Sequence, residues 1–476
     1  MTETRPATLL DEITVAPESG RAIPDAATRE TIGYAPIHST EHLDAAIERA
    51  RAAQPAWAAL PVEERSAILH RAADEIDAHA EELAQIIARE QGKPLNGPGA
   101  RFEAGGCAVW LRNAADTTLE PEVLFEADGT RSELHYAPLG VVGAISPWNW
   151  PALIAMWQIA PSLRMGNAVV AKPSEYTPLS VLAVAALMNR HLPDGLLTVV
   201  AGGRDVGEAI AGHPGLDKVM FTGSTATGRS IIRSSADNLA RLTLELGGND
   251  AGIVLPGTDI DAIAQNLFWG IFINTGQTCA ALKRLYVHDS QYDAVVDALA
   301  TIAESTPMGA GVDEGSALGP LSTSQQFDIV SGLVDDARER GARIVTGGEA
   351  APELGPHFYR ATVVADIEDG APLVDTEQFG PVIPVIRYSD VDDAIARANA
   401  SDQGLGASVW ADDPEAAMAI AARLEAGTVW INQHGTLNPL VPFGGVKGSG
   451  YGMEFGREGL KAVAAPKVIT RTVAAL

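Results

Sequence analysis

Residues 141–172 run VVGAISPWNWPALIAMWQIAPSLRMGNAVVAK. Val141 to Ile145 form a short apolar run stopped by Ser146-Pro147, which reads as a buried strand. A helical stretch follows over 152–164. Ala168-Val-Val-Ala171 is a second apolar run, stopped by Pro173. Strand, helix, strand over roughly thirty residues is a parallel βα unit.

The alternation continues outward. Leu197–Val200 and Val219–Thr222 read as strands, with helices over 178–191, 205–212 and 224–237. Beyond Gly248, strands at Ile253–Leu255, Arg284–Val287, Ile344-Val345, Val363-Val364, Ser408–Trp410 and Val429–Ile431 alternate with helices near 259–273, 291–304, 324–340, 390–399 and 413–425. This predicts an α/β fold in two units, the second spanning about 250–445. Upstream, residues 41–91 read as helix. Leu43, Ala46, Ile47 and Ala50 keep helical spacing, a second stretch opens at Pro61 with Glu63 and Glu64 in its first turn, and Gly92 and Pro94 close the region. The last dozen residues are β-prone and too short to pack alone.

Length and charge bound the function. At about 150 residues per domain, 476 residues allow two or three domains. The formal net charge of −27 argues against a protein that grips nucleic-acid phosphates or an anionic membrane. Two cysteines, Cys107 and Cys279, leave no basis for a disulfide scaffold or a zinc cluster, and no metal is called for. Met1 to Thr14 is polar with no apolar core, and the longest apolar run, roughly Leu179 to Met188, is too short to span a bilayer. The expectation is a cytoplasmic protein.

Three segments carry chemistry. In Asn274-Thr-Gly-Gln-Thr-Cys279 the thiol is a candidate nucleophile, although a small buried cysteine is the commoner meaning and no nearby histidine is there to ionise it. In Leu242-Thr-Leu-Glu245-Leu-Gly-Gly248 an acid ends an apolar strand. A desolvated carboxyl there has a raised pKa and suits a general base; pairing with a buried Lys or Arg is the alternative. In Ser146-Pro-Trp-Asn149-Trp-Pro151 two prolines fix a turn, so that Asn149 offers a rigid amide donor for an oxyanion, or simply makes the turn. Two further segments fit a nucleotide. Lys172-Pro-Ser-Glu175 leaves a strand where dinucleotide folds bind ribose, and Phe221-Thr-Gly223-Ser224 leads into a helix N-terminus able to meet a pyrophosphate.

Pro147-Trp-Asn-Trp-Pro151, Lys172-Pro-Ser-Glu175, Phe221-Thr-Gly-Ser224, Glu245-Leu-Gly-Gly248, Gly276-Gln-Thr-Cys279, Glu377-Gln-Phe-Gly-Pro381 and Pro442-Phe-Gly-Gly445 together resemble the aldehyde dehydrogenase superfamily, in order and spacing over nearly the whole chain. The resemblance implies that Cys279 attacks an aldehyde carbonyl and that the Asn149 amide and the Cys279 N–H hold the oxyanion. Hydride transfer to NAD would leave a thioester, and Glu245 would activate the water that hydrolyses it. It implies cofactor contacts from Ser146, Trp148, Lys172, Glu175, Gly223, Ser224, Glu377 and Phe379. NAD is favoured over NADP because a 2′-phosphate would face Glu175.

The implied architecture is a Rossmann-like NAD-binding domain (1–118 and 139–247) with five strands, an α/β catalytic domain (248–448), and an oligomerisation flap with the C-terminal strand (119–138 and 449–476). That strand would join a neighbour's sheet in a homodimer or homotetramer. Asn249 and Trp150 depart from the commoner Lys and Phe. Relatives that oxidise succinate semialdehyde resemble one another in carrying Arg at the positions of Trp157 and Ile273. Here both are apolar, so Trp150, Trp157, Ile273 and Phe443 are expected to line a tunnel for an uncharged aromatic or medium-chain aliphatic aldehyde. The alternatives are a semialdehyde dehydrogenase acting on a carboxylated substrate, and a tunnel lined instead by residues near His434. A CoA-acylating relative would commonly lack the base, so Glu245 favours hydrolysis. A binding protein that had lost activity would not need Cys279, Asn149 and Glu245 together.

Overall fold

The computed structural model describes residues 8–473. The first seven residues of the polar N-terminal segment, and the last three of the expected C-terminal strand, lie outside the described residues.

The first sheet has its strands in the spatial order 450–451, 241–245, 218–222, 141–145, 168–172, 197–199. The five from 241–245 to 197–199 are parallel, as expected. Helices Pro151–Arg164, Leu179–Asn189, Arg204–Gly212 and Thr225–Ser234 connect or flank them. Every residue of Val141–Ile145 and Ala168–Lys172 is buried, which is why these strands are continuous apolar runs rather than alternating ones. The chain builds outward from 141–145 on one side, through 168–172 and 197–199. It then returns to the other side of 141–145 with 218–222. The topological switch point therefore lies at the carboxyl end of 141–145, where open α/β sheets bind ligands. Ser146 to Trp150 leave from that point.

The second sheet has seven strands in the order 343–346, 362–365, 382–388, 282–288, 250–254, 406–410, 428–431. Among the described residues, only 343–346 runs antiparallel to its neighbour in this sheet. The strand Val382–Tyr388 escapes the sequence reading because Pro381 and Pro384 punctuate it. Pro384 is tolerated opposite Val364, where the strand loses one donor. The helical region divides into Thr40–Ala59, Val62–Ala78 and Ala80–Gln91. The last ends on Gly92 at φ 98°, a left-handed cap that glycine adopts without strain.

Strands Glu122–Ala127, Thr130–Pro138 and Ala464–Thr472 form a separate antiparallel sheet, with Ala464 opposite Pro138 and Thr472 opposite Thr130. The flap boundary expected at 449 needs correction. Gly450–Tyr451 pairs with Leu244 and Glu245 in the first sheet, and helix Gly456–Ala462 precedes the flap strand. Gly450 is at φ 110°, and a Cβ there would lie 1.9 Å from the Leu244 carbonyl oxygen, so the position requires glycine on both counts. Among the described residues no helix is long and apolar enough to cross a membrane.

Candidate active site

Asn149 sits at the switch point, one residue before the cap of helix Pro151–Arg164. Its carbonyl accepts from Asn274 Nδ2 at 2.9 Å and from Lys93 Nζ at 2.8 Å. Its side-chain nitrogen donates to the Gln277 carbonyl at 3.0 Å, and the other N–H of that amide has no acceptor among the described residues. The turn is thus tied directly to the cysteine loop.

That loop is strained by design. Asn274 (φ 50°) and Thr275 (φ 56°) both adopt left-handed backbone, which costs about 1–3 kcal/mol each for such residues. Side-chain bonds offset the cost. Gly319 N–H donates to Thr275 Oγ1 at 2.9 Å, and Ser322 N–H donates to Gln277 Oε1 at 2.9 Å. Gly276 is required, since a Cβ would lie 2.1 Å from the Gly380 carbonyl oxygen. Lys283 then donates to the carbonyls of Thr278, at 2.9 Å, and Cys279.

Cys279 is half-buried and borders two cavities at once. Burial pushes its thiol up to about 12. Lys283 opposes this, while Glu377, Glu245 and Asp250 add to it. Glu245 ends strand Arg241–Glu245 and is buried, with neither oxygen hydrogen-bonded among the described residues. Burial holds its carboxyl well above the usual range, and Glu454 reinforces the shift. The buried-ion-pair alternative fails: among the described residues no Lys or Arg reaches either Glu245 oxygen.

One cavity, of about 230 Å³, is walled by Trp148, Gly223, Ser224, Glu377 and Phe379 among others. Trp148 and Phe379 meet edge to face at 5.4 Å. Glu377 is held by Lys283 at 3.2 Å and by Gly248 N–H at 3.3 Å. A Cβ at Gly247 would crowd its Oε2 at 2.4 Å. Aromatic edges beside a carboxylate and a serine-capped helix suit a nicotinamide riboside and its pyrophosphate. Ser224 caps helix Thr225–Ser234 through Thr227 N–H at 3.2 Å. Lys172, Glu175 and Ser146 lie outside this cavity. Lys172 Nζ donates to Pro173 O at 3.2 Å, Glu175 lies 3.6 Å from Arg21, and the buried Ser146 donates its N–H to the Lys172 carbonyl at 3.1 Å.

The other cavity, of about 400 Å³, also reaches Cys279 and shares no other lining residue with the first. Trp150, Trp157 and Ile273 line it. Phe443 does not: its ring stacks on Phe455 at 6.0 Å, in the packing behind the tunnel. The wall is completed by residues the sequence reading did not single out, chiefly Phe102, Trp110, Trp269 and Leu437, and by His434 from the alternative reading. Phe102 and Trp110 lie on helix Ala100–Asp116. The helical spacing of Glu103, Cys107, Trp110, Leu111 and Ala114 is the signal that would have found it. Among the described residues, no Lys or Arg lines the tunnel.

Comparison with known proteins agrees with this geometry. The model of the aldehyde dehydrogenase family matches residues 16–469. The chain is 41% identical to the phenylacetaldehyde dehydrogenase of Pseudomonas fluorescens over 443 residues, covering 90% of this chain and 88% of that protein. It is 38% identical to the geranial dehydrogenase of Castellaniella defragrans over 458 residues, covering 94% and 95%. It superposes on the NAD⁺ complex of an aldehyde dehydrogenase from Bacillus cereus with a TM-score of 0.89 and 35% identity, covering 96% of this chain and 94% of that one. The chain belongs to the aldehyde dehydrogenase family and is an aldehyde-oxidising enzyme that works with a nicotinamide dinucleotide.

Proposed function

We propose that this enzyme oxidises uncharged, largely apolar aldehydes, aromatic or medium-chain aliphatic, to carboxylic acids, with NAD preferred over NADP. The observation that carries the substrate class is the tunnel: about 400 Å³, rich in tryptophan and aliphatic side chains, with no Lys or Arg among the described residues that line it, and ending at Cys279. A carboxylate inside it would be desolvated without a partner, which costs several kcal/mol. An apolar chain gains roughly 25 cal/mol per Å² buried. The relatives that act on phenylacetaldehyde and geranial support this reading.

In this reading the Cys279 thiol gives up its proton to solvent, the thiolate Sγ adds to the carbonyl carbon, and the oxygen takes up the negative charge. The free N–H of the Asn149 amide and the Cys279 main-chain N–H hold that oxygen. When bound, the nicotinamide supplies the hydride acceptor. Glu377 and Phe379 would hold its ribose and ring, Trp148, Gly223 and Ser224 the adjoining cleft, and Lys172 and Glu175 the adenosine ribose. Loss of hydride from the carbon bound to Sγ leaves a thioester. Glu245 then takes a proton from water, the hydroxide adds to the thioester carbon, and Sγ leaves as the acid forms. An unpaired buried carboxyl suits that task, because nothing else competes for the proton.

The expected division of the chain into cofactor, catalytic and flap portions fits this scheme, with the flap limited to 122–138 and 464–472. The flap leaves Val123, Leu124, Phe125, Val468 and Ile469 exposed, which supports a homodimer or homotetramer built through it. Two free cysteines suit a reducing cytoplasm.

The test is a kcat/KM series by NADH absorbance over benzaldehyde, hexanal and succinate semialdehyde, with and without CoA. Hexanal or benzaldehyde should lead, and CoA should not accelerate turnover. A tenfold preference for the semialdehyde would overturn the substrate class.

A further inference from the structure

Lys93 and Glu103 take no part in the scheme above and carry no motif that points to them. Lys93 follows the Gly92 cap, and Glu103 lies in the first turn of helix Ala100–Asp116. Both side chains have 0% exposure and they form an ion pair. A buried ion pair generally costs more in desolvation than it returns, so it persists where each of its atoms is otherwise satisfied or has a task. Here both hold. Lys93 Nζ bonds Glu103 Oε2, donates to the Asn149 carbonyl at 2.8 Å, and sits 3.4 Å from the centre of the Trp150 ring. Glu103 Oε1 accepts from the N–H groups of Ala152 (2.9 Å) and Leu153 (3.2 Å), in the first turn of the helix that begins at Pro151. The pair therefore grips both sides of the turn that presents Asn149. Neither residue lines the tunnel or the cofactor cleft.

We infer that Lys93 and Glu103 are positioning residues, a buried clamp that holds Asn149 so that its side-chain amide is fixed as an oxyanion donor. The physical need is specific. An oxyanion donor contributes most when it requires no reorganisation as charge develops, and displacement by about 1 Å is enough to lose most of its effect. Asn149 has no helix or strand of its own to fix it; it stands in the loop between strand Val141–Ile145 and helix Pro151–Arg164. Asn274 holds the same carbonyl from the cysteine loop, so Lys93 and Asn274 clamp it from two elements. Burial draws the Lys93 ammonium down to about 8, and the Glu103 carboxylate opposes that fall. Glu103 thus keeps the lysine a charged donor while also capping the helix. The inference rests on Asn149 being the oxyanion donor.

The test is a double-mutant cycle on the rate of the first NADH turnover, using Lys93→Met, Asn149→Ala and both together, with benzaldehyde or hexanal. Asn149→Ala should slow that step by about 10²–10³-fold. Lys93→Met should slow it by about 10–100-fold, with kcat falling far more than KM changes and with NAD affinity, read by fluorescence, unaltered. In the Asn149→Ala background, Lys93→Met should add less than about twofold, since the clamp would have nothing left to position. Full multiplication of the two effects would show a merely structural lysine and overturn the clamp. If Lys93→Met does not fold, Glu103→Gln serves in the same cycle. It keeps an acceptor for Ala152 and Leu153 but removes the charge that sustains Lys93, and the same non-additivity is expected. A wild-type rate in Asn149→Ala would overturn the role of Asn149 itself, and with it the clamp, and is distinct from the multiplicative result.

Discussion

Glu454 raises the pKa of Glu245 within a buried region where neither carboxyl has a hydrogen-bond partner among the described residues. Burial is the larger cause for both, and Glu454 itself is pushed up to about 8, against the pull of Lys218. Removing a like charge favours the ionised form of its neighbour. Glu454→Gln should therefore lower the pKa of Glu245 and move the rising limb of thioester hydrolysis to lower pH. Single-turnover hydrolysis followed from pH 5.5 to 9 checks this; an unmoved or upward-shifted limb would refute the coupling.

Glu245→Gln should separate the two half-reactions. A neutral amide cannot accept the water proton, so hydrolysis should slow by about 10²–10⁴-fold while acylation persists. Stopped-flow absorbance should show a burst of NADH followed by a very slow steady state. Loss of the burst would mean that Glu245 acts earlier, on the Cys279 thiol.

Cys279→Ala should abolish dehydrogenase turnover while leaving NAD binding intact, and Cys107→Ala should retain turnover. Cys107 is fully buried inside helix Ala100–Asp116, whereas Cys279 borders both cavities. Because burial pushes the Cys279 thiol up to about 12, its alkylation by iodoacetamide in the cofactor-free enzyme should keep rising with pH through 10. A plateau near pH 7 would show that the resting thiol is already ionised.

Glu175 should govern the choice between NAD and NADP. Its carboxylate would repel a 2′-phosphate, although Arg21 at 3.6 Å and the neighbouring Lys172 soften that repulsion. Glu175→Gln should raise kcat/KM for NADP relative to NAD by about tenfold. Equal kcat/KM for the two cofactors in the unaltered enzyme would show that Glu175 does not face the ribose.

Ile273→Arg should reverse the substrate order. A guanidinium in the tunnel wall gives a distal carboxylate the partner it lacks and removes apolar surface from an alkyl chain. Succinate semialdehyde should gain at least tenfold in kcat/KM and hexanal should lose a similar factor. Unchanged ratios would place the distal end of the substrate elsewhere.

Features that depend only on neighbours along the chain are legible in the amino-acid sequence. Val141–Ile145 and Ala168–Lys172 are apolar runs closed by proline, so the βα alternation and the α/β class were legible without coordinates. Gly92, Pro61 and the acids after it marked helix ends for equally local reasons. Asn149, Glu245 and Cys279 stood out as residue types placed oddly for packing alone: an amide in a proline-bounded turn, an acid ending an apolar strand, a thiol in a glycine loop.

Which faces meet depends on packing between distant parts of the chain. On helix Ala100–Asp116, Phe102 is 48% exposed at the tunnel mouth while its neighbour Glu103 is fully buried against Lys93. One step of helix rotation separates the two fates, and composition does not set that phase. Phe443 left the tunnel and Trp110 entered it for the same reason, because the aromatic cluster around Phe455 orders them in space. Lys93 meets Asn149 across 56 residues of chain, and Asn149 meets Gln277 across 128. Such contacts form when folding brings distant buried polar groups to the same point, where each must find a partner or remain unpaired. Local pattern records which residues want burial; only the packed chain decides which of them are left without a partner, as Glu245 is among the described residues.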